Sequence, residues 1–257
     1  MTVLTFAKWI ADVPAWILSL PESLQRLLFQ FYQVFIFENR WKFFTDGLIT
    51  TFAVTIGALI LGVIIGMIVA LIRSTRDLTP KPNTLLRIVD RICKVYVTVL
   101  RGTPLMVQLL IMGFVVMIPK TTFETNLCAI VTLGINSGAY VAEIARSGIM
   151  SINQGQTEAG RSLGLNYYQT MLYVILPQAI KNILPALGNE LIALLKETSL
   201  VTVIALQDVT KAAQVIVSKA YTPVIPYVSL AIIYLIIVMI LTKLLSIFER
   251  RLRKSER

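Results

Sequence analysis

The residues that could do chemistry in this sequence are charged side chains embedded in long apolar stretches. One such stretch contains Glu143, and another contains Glu190, Lys196 and Glu197. An ionised side chain at the centre of a bilayer costs about 2.5–3.5 kcal/mol on insertion scales. We therefore expect these side chains to face the interior of a helix bundle and to have partners there.

One interpretation is that these side chains line a path for a polar solute. Glu190 and Glu197 are seven residues apart and share one face of a helix, as Asn136, Tyr140 and Glu143 share a face of another. Their carboxylates would receive an amino group or a cationic side chain. The candidate path residues are Gln108, Asn136, Ser137, Tyr140, Glu143, Glu190, Lys196, Glu197, Thr198 and Ser199.

The alternative is a structural ion pair between Glu143 and Lys196. Lys196 has no acidic residue three or four positions away on its own helix, so its partner must come from another helix or be a substrate. Both interpretations stay open from the sequence.

The composition excludes several classes of site. The chain has no histidine, no P-loop and only two widely separated cysteines, Cys93 and Cys128. Glu190 and Glu197 would lie about 10 Å apart on a helix, too far to share a proton. We predict that both thiols are free. We expect no catalytic residues, no metal site and no cofactor in this chain. The net charge of +10 fits basic cytoplasmic loops better than nucleic-acid binding.

Long uncharged stretches determine the expected fold class. The chain is 56% hydrophobic and only 15% charged, and residues 47–72 and 220–242 contain no charged residue. Each is long enough to cross roughly 30 Å of hydrocarbon. The sequence thus predicts an all-α integral membrane protein, a bundle of about five transmembrane helices. The expected spans are about 47–72, 95–118, 123–148, 177–206 and 223–247.

The distribution of basic residues predicts the orientation of the bundle. Residues 73–94 and the tail at 251–257 are strongly basic, whereas residues 1–46 are nearly neutral. Basic loops stay in the cytoplasm. We expect the N-terminus outside and the C-terminus in the cytoplasm, which agrees with an odd number of spans.

Residues 9–37 are apolar but are interrupted by Pro14, Pro21 and polar side chains. We interpret residues 1–44 as an amphipathic segment in the outer interface, with Trp9, Trp16 and Trp41 as interfacial anchors. An additional span in residues 9–37 is the alternative.

The second span contains a helix-start signal at Thr103–Pro104. A helix over residues 104–118 would cover only about 22 Å, too short to cross alone. Either the preceding turns continue the span with a kink, or the span is broken near Gly102. A broken span would offer backbone groups to a substrate.

The polar segment at 150–176 carries the most specific pattern. It predicts a short helix that ends at Gly164 in a left-handed stop, followed by a new helix with a capping box of Asn166 and Gln169. A short exposed helix between two spans has the shape of a peg that docks into the groove of a partner.

This segment resembles the E-A-A-x-x-x-G-x(9)-I-x-L-P signature of permease subunits of ABC importers, with Gly160 for the second alanine and Val174 for isoleucine. Residues 101–105, 138–144 and 195–200 look like the polar amino acid branch, the histidine, glutamine and arginine permeases. The resemblance covers roughly residues 45–250, and residues 1–44 have no counterpart in it.

The resemblance implies a type I ABC importer permease fold, with residues 45–250 as the transmembrane permease domain of a bacterial inner-membrane importer. It implies an ATPase partner that holds ATP and Mg²⁺, a second permease copy or paralogue, and an extracytoplasmic solute-binding protein. The ATPase-docking residues would be Glu158, Ala159, Gly160, Ser162, Leu163 and Gly164.

The substrate implied by the resemblance is a polar amino acid, and three carboxylates on the candidate faces favour a cationic one. The alternative is an ion-gradient-driven secondary amino acid transporter, whose folds often contain inverted repeats. The sequence has no convincing internal repeat, and five spans is an awkward number for a complete carrier.

Overall fold

The computed structural model of the chain describes residues 6–79 and 81–254. No strand occurs among these residues. The α-helices are α1 Phe6–Asp12, α2 Ala15–Leu18, α3 Glu22–Phe31, α4 Trp41–Leu78, α5 Thr84–Gly102, α6 Leu105–Ile111, α7 Thr122–Met150, α8 Gln154–Ser162, α9 Tyr167–Thr170, α10 Leu176–Glu197, α11 Val209–Ala220 and α12 Val224–Lys254. Shorter turns are π-helical at Tyr32–Ile36, Met112–Val116 and Met171–Ile175, and 3₁₀-helical at Phe37–Asn39 and Thr198–Ile204.

Within the described ranges, four continuous helical stretches are long and apolar enough to cross a membrane. They are Trp41–Leu78, Thr122–Met150, Tyr167–Ile204 and Val224–Leu252, and the bent pair Thr84–Gly102 and Leu105–Val116 makes a fifth if it counts as one span. The all-helical membrane fold predicted from the sequence is therefore confirmed.

The spans differ from the predicted ones mainly at their ends. The first extends beyond residues 47–72 in both directions, and α5 begins at Thr84, well before the predicted start at Val95. The fourth span begins at Tyr167, ten residues before its predicted start at Pro177. The π-helical turn Met171–Ile175 joins α9 to α10 without a break, although Pro177 has no backbone N–H to donate.

The chain forms two compact units. One consists of the residues up to Thr51 together with Gln207–Ile236, and the other of Phe52–Leu206 together with the residues from Ile237 onward. The first turns of α4 belong to the same unit as the segment before them. The predicted segments 1–44 and 45–250 stay a prediction.

The first unit is built around contacts between α4 and α11. Gly47 allows the close approach, since a Cβ there would lie 2.8 Å from the carbonyl oxygen of Asp208. Thr51 Oγ1 accepts a hydrogen bond of 3.2 Å from the backbone N–H of Val209. The buried Asp208 side chain caps α11 by accepting from the N–H groups of Thr210 and Lys211.

The N-terminal segment before α4 consists of helices too short to span a bilayer, since α3 and the turn after it cover only Glu22–Ile36. Two of the three tryptophans predicted to be anchors, Trp16 and Trp41, are exposed. Trp9 is not, because it packs against Phe6 and Phe29 and is only 6% exposed.

The second unit is organised around α7, which packs against α5, α6 and α10. Small residues bring α4 onto it. A Cβ at Gly66 would lie 2.6 Å from the Cβ of Val141 and 2.9 Å from the backbone nitrogen of Ala142. These atoms cannot move aside easily, so α4 tolerates only glycine at this position.

We predict that Gly66→Ala lowers the unfolding free energy by roughly 1–3 kcal/mol, the usual effect of overpacking. Thermal unfolding of the purified protein in mild detergent measures this effect. Gly102→Ala is the matched control, because a Cβ at Gly102 meets nothing within 4 Å. Equal unfolding temperatures for the two variants would contradict the close approach of α4 and α7.

Candidate functional site

The second span is broken rather than kinked. Helices α5 and α6 meet at an angle of 105°. Thr103 has an extended backbone, as expected for a residue before proline, so the α5 helix ends there and α6 starts after Pro104. Of the two forms that the sequence left open, the chain adopts the one that frees backbone carbonyl groups.

Two of the candidate path residues donate hydrogen bonds to backbone carbonyl groups at this break. Gln108 Nε2 donates hydrogen bonds to the carbonyl oxygen of Leu100 at 2.9 Å and to that of Thr103 at 3.1 Å. Asn136 Nδ2, on α7, donates to Gln108 Oε1 at 2.9 Å and to the Leu100 carbonyl at 3.2 Å. The two amides therefore satisfy the carbonyl groups of Leu100 and Thr103 and tie the break to α7.

A second set of polar side chains lies next to this break. It combines a carboxylate with a guanidinium group. Ser137 Oγ on α7 donates to Glu190 Oε1 on α10 at 2.7 Å. The guanidinium of Arg101, at the end of α5, lies 5.1 Å from the ring centre of Tyr140 and within electrostatic range of Glu190. We call Arg101, Ser137, Tyr140 and Glu190 the charged cluster.

Arg101 was not among the candidate path residues, although it belongs to one of the stretches that carry the family resemblance. The signal that could have identified it is its position one residue before the glycine at the break, where α5 ends. A cation at a helix C-terminus is also favoured by the helix dipole.

The remaining candidates lie about two turns beyond Glu190, at the end of α10 and the start of the 3₁₀-helical turn Thr198–Ile204. Glu197 is half-buried and Lys196 is exposed. Thr198 is fully buried and donates to the carbonyl of Leu195 at 2.7 Å, while Ser199 is half-buried. Among the described residues, no acidic side chain lies within salt-bridge distance of Lys196.

Glu143 forms ion pairs, but its partners are Arg73 on α4 and Arg146 on α7. The proposed pair with Lys196 is therefore not formed within the chain. Related contacts extend this ion-pair network at the basic ends of α4, α5 and α7. Its further members are Arg146–Asp77 at 2.6 Å, Arg76–Asp77 at 3.3 Å, Arg76–Asp90 at 3.7 Å and Lys94–Asp90 at 2.8 Å.

The short helix α8 has well-defined ends. Asn153 caps its start by accepting a hydrogen bond of 2.8 Å from the N–H of Gly155. At its end Gly164 adopts φ +80°, its N–H donates to the carbonyl of Arg161, and the N–H of Leu165 donates to that of Gly160. This is a Schellman motif, and the capping box of Asn166 and Gln169 follows it as predicted.

The surface of this loop is apolar as well as exposed. Leu163 is 82% exposed and Tyr168 is 80% exposed. Five of the six predicted docking residues are exposed, namely Glu158, Ala159, Ser162, Leu163 and Gly164. Gly160 instead faces inward, where a Cβ would lie 2.7 Å from Thr170 Cγ2, so it packs α8 onto α9. Tyr168 was missed by the sequence pattern.

No group of three or more potential metal ligands occurs among residues 6–79 and 81–254. Cys93 and Cys128 are both buried and both free.

The chain is similar to known proteins over most of its length. The family model "Binding-protein-dependent transport system inner membrane component" matches residues 62–254. An arginine transport system permease protein of Bacillus subtilis is 38% identical over 215 residues, which cover 83% of this chain and 94% of that protein. A putative glutamine transport system permease protein of Rickettsia typhi is 35% identical over 217 residues, covering 84% and 95%.

Solved structures show the same similarity. A crystal structure of an amino acid ABC transporter with histidines superposes with a TM-score of 0.73 at 42% identity, covering 82% of this chain and 94% of that one. An inward-facing methionine ABC transporter superposes with a TM-score of 0.68 at 20% identity, which is a likeness of fold.

We predict that Gln108→Leu destabilises the protein by roughly 1–3 kcal/mol, because the Thr103 carbonyl loses its side-chain donor and the Leu100 carbonyl keeps only the one from Asn136. The measurement is thermal unfolding in detergent. Gln154→Leu, at an exposed glutamine of α8, is the matched control. A Gln108 variant as stable as the control would mean that other groups satisfy the break.

Proposed function

The chain belongs to the family of inner-membrane components of binding-protein-dependent transport systems, and we infer that it forms the membrane path of an ATP-driven importer for a polar amino acid. It is a permease subunit of the ABC type, as its relatives and its structural neighbour indicate. The observation that carries the path is the charged cluster between α5, α7 and α10.

The charged cluster fits the two ends of an amino acid. The carboxylate of Glu190 is suited to an ammonium group, and the guanidinium of Arg101 is suited to a carboxylate. Glu197 adds a second acid on the same helix, which favours a substrate with a cationic side chain. The relative named as an arginine transport permease supports this choice.

Energy would come from an ATPase subunit that holds ATP and Mg²⁺ and docks on α8. Two observations support this. The helix is held rigidly at both ends, and it presents the apolar side chain of Leu163 to the surface near that of Tyr168. Large exposed apolar side chains on a short polar helix mark a protein contact. The chain itself would hydrolyse nothing.

The assembly would also contain a second permease, identical or related, and an extracytoplasmic solute-binding protein. Its site would be the inner membrane of a bacterium, with the N-terminus outside and the C-terminus in the cytoplasm. The exposed Lys81, in the loop after α4, and Arg87 and Arg91, in the first half of α5, support this orientation, since basic loops remain in the cytoplasm.

We predict that Glu190→Gln in the complete reconstituted importer reduces arginine uptake by roughly 10- to 100-fold, as expected when one charged hydrogen bond is lost. The measurement is ATP-dependent uptake of labelled arginine into proteoliposomes, with the ATPase content of the complex determined in parallel. Glu22→Gln, which removes an exposed carboxylate from α3, is the control.

Loss of the ATPase subunit from the Glu190→Gln complex would instead make Glu190 a structural residue. Uptake that follows an ion gradient without ATP would favour the secondary transporter.

We predict that Gly164→Val abolishes ATPase binding, because a β-branched residue cannot adopt φ +80° without strain. Gly164→Asn is the matched variant, since asparagine tolerates the left-handed region, and it should retain most of the ATPase. The measurement is the molar ratio of ATPase to permease after purification in mild detergent. An unchanged ratio for Gly164→Val would argue against docking on α8.

A further inference from the structure

The N-terminal segment, residues 6–40, precedes the part of the chain that the family model matches. It nevertheless has a defined fold. Its helices α1 and α3 pack through rings of Phe6, Trp9, Phe29 and Tyr32. Gln25, itself buried, donates to the carbonyl oxygens of Leu18 and Leu20 and so ties the end of α2 to α3. The segment therefore presents fixed faces to its surroundings.

The bend between this segment and α4 is also fixed. Glu38 and Asn39 both adopt left-handed backbone conformations, at φ 55° and 54°. The buried guanidinium of Arg40 holds the bend. It donates to the carbonyl of Gln33 at 3.1 Å and to the Glu38 carboxylate at 3.2 Å, and it lies over the Phe37 ring. The orientation of α3 relative to the start of α4 is thus determined by this corner.

Helix α3 has one apolar face that is exposed in the described chain, and its Phe31 ring packs against that of Phe35 in the turn that follows. Leu24, Leu27 and Phe31 are spaced at i, i+3 and i+7, lie on one stripe and are all exposed. Glu22 and Arg26, on the other side of the helix, are exposed and charged. We call Leu24, Leu27 and Phe31 the apolar stripe.

We infer that the apolar stripe is buried in the headgroup–acyl boundary of the bilayer, in the leaflet where α4 begins. The stripe ends ten residues before Trp41, the first residue of a membrane-crossing helix. Ile36 and Trp41 are both exposed, so the apolar surface continues from the stripe to the start of α4. Continuity with the spanning helix therefore places the stripe at the membrane surface.

The composition of the segment favours lipid over a protein partner. The stripe contains no polar group that could give a protein partner specificity, whereas lipid requires none. Residues 6–46 contain four basic and four acidic residues, so attraction to anionic headgroups is not needed. The exposed Trp16 adds an aromatic ring of the kind that prefers the interface.

Spin labels on the full chain in phosphatidylcholine vesicles test this inference. Cys93 and Cys128 are first replaced by alanine. A nitroxide is then attached to one new cysteine at a time, at Leu24→Cys, Leu27→Cys or Phe31→Cys on the stripe, and at Glu22→Cys or Arg26→Cys as matched controls on the opposite face of the same helix. Collision rates with oxygen, which partitions into lipid, are compared with those of a water-soluble nickel chelate.

We expect oxygen collisions to exceed nickel collisions several-fold at the three stripe positions, and the reverse at the two control positions. Nickel-dominated collisions on the stripe would show that it faces water. Low collision rates with both reagents there would show that protein covers it. Either result would overturn the inference, and neither depends on transport, so the proposed function is tested separately.

Discussion

The structure depends on one constraint, which is that backbone polar groups inside a bilayer must find partners within the protein. The break between α5 and α6 is the place where this constraint is hardest to meet, because the chain turns through 105° and the last carbonyl groups of α5 lose their helical partners. Gln108 and Asn136 supply the missing donors. Two polar residues inside spans are thus explained by the backbone. Because these hydrogen bonds stabilise the break, α5 can end there with Arg101 in its last turn.

Helix α7 links this break to the rest of the polar interior. Asn136 reaches the break, and the next residue, Ser137, reaches Glu190. Further along the same helix, Tyr140 lies under Arg101. One and two turns later, Glu143 and Arg146 join the ion-pair network with α4. A single buried helix therefore connects the break, the charged cluster and the network, so a displacement of α7 would be felt at all three.

The sequence predicted features that local rules determine. The number of spans follows from apolar length, and the end of α8 at Gly164 and the capping box after it follow from residues only a few positions apart. The pairing of Glu143 with Arg73 and of Asp77 with Arg146 could not be found in this way, because the two members of each pair lie about seventy residues apart along the chain. The sequence indicated that a break near Gly102 would free backbone groups, but it did not show that Gln108 would donate to two of the carbonyl groups there. Its place on the solute path stays a prediction.

The basic stretch 73–94 runs from the end of α4 into α5. In the part of the chain that the structure describes, its cations fall into two groups, paired and unpaired, that the sequence alone does not separate. Arg73, Arg76 and Lys94 are engaged with acids of the ion-pair network. Lys81, Arg87 and Arg91 are exposed, and no acid lies within salt-bridge distance of them among the described residues. Partly buried pairs are costly to break singly, because the remaining charge is left without a partner. The paired cations therefore hold α4, α5 and α7 together, and in the proposed orientation the exposed ones would be enough to keep this loop in the cytoplasm.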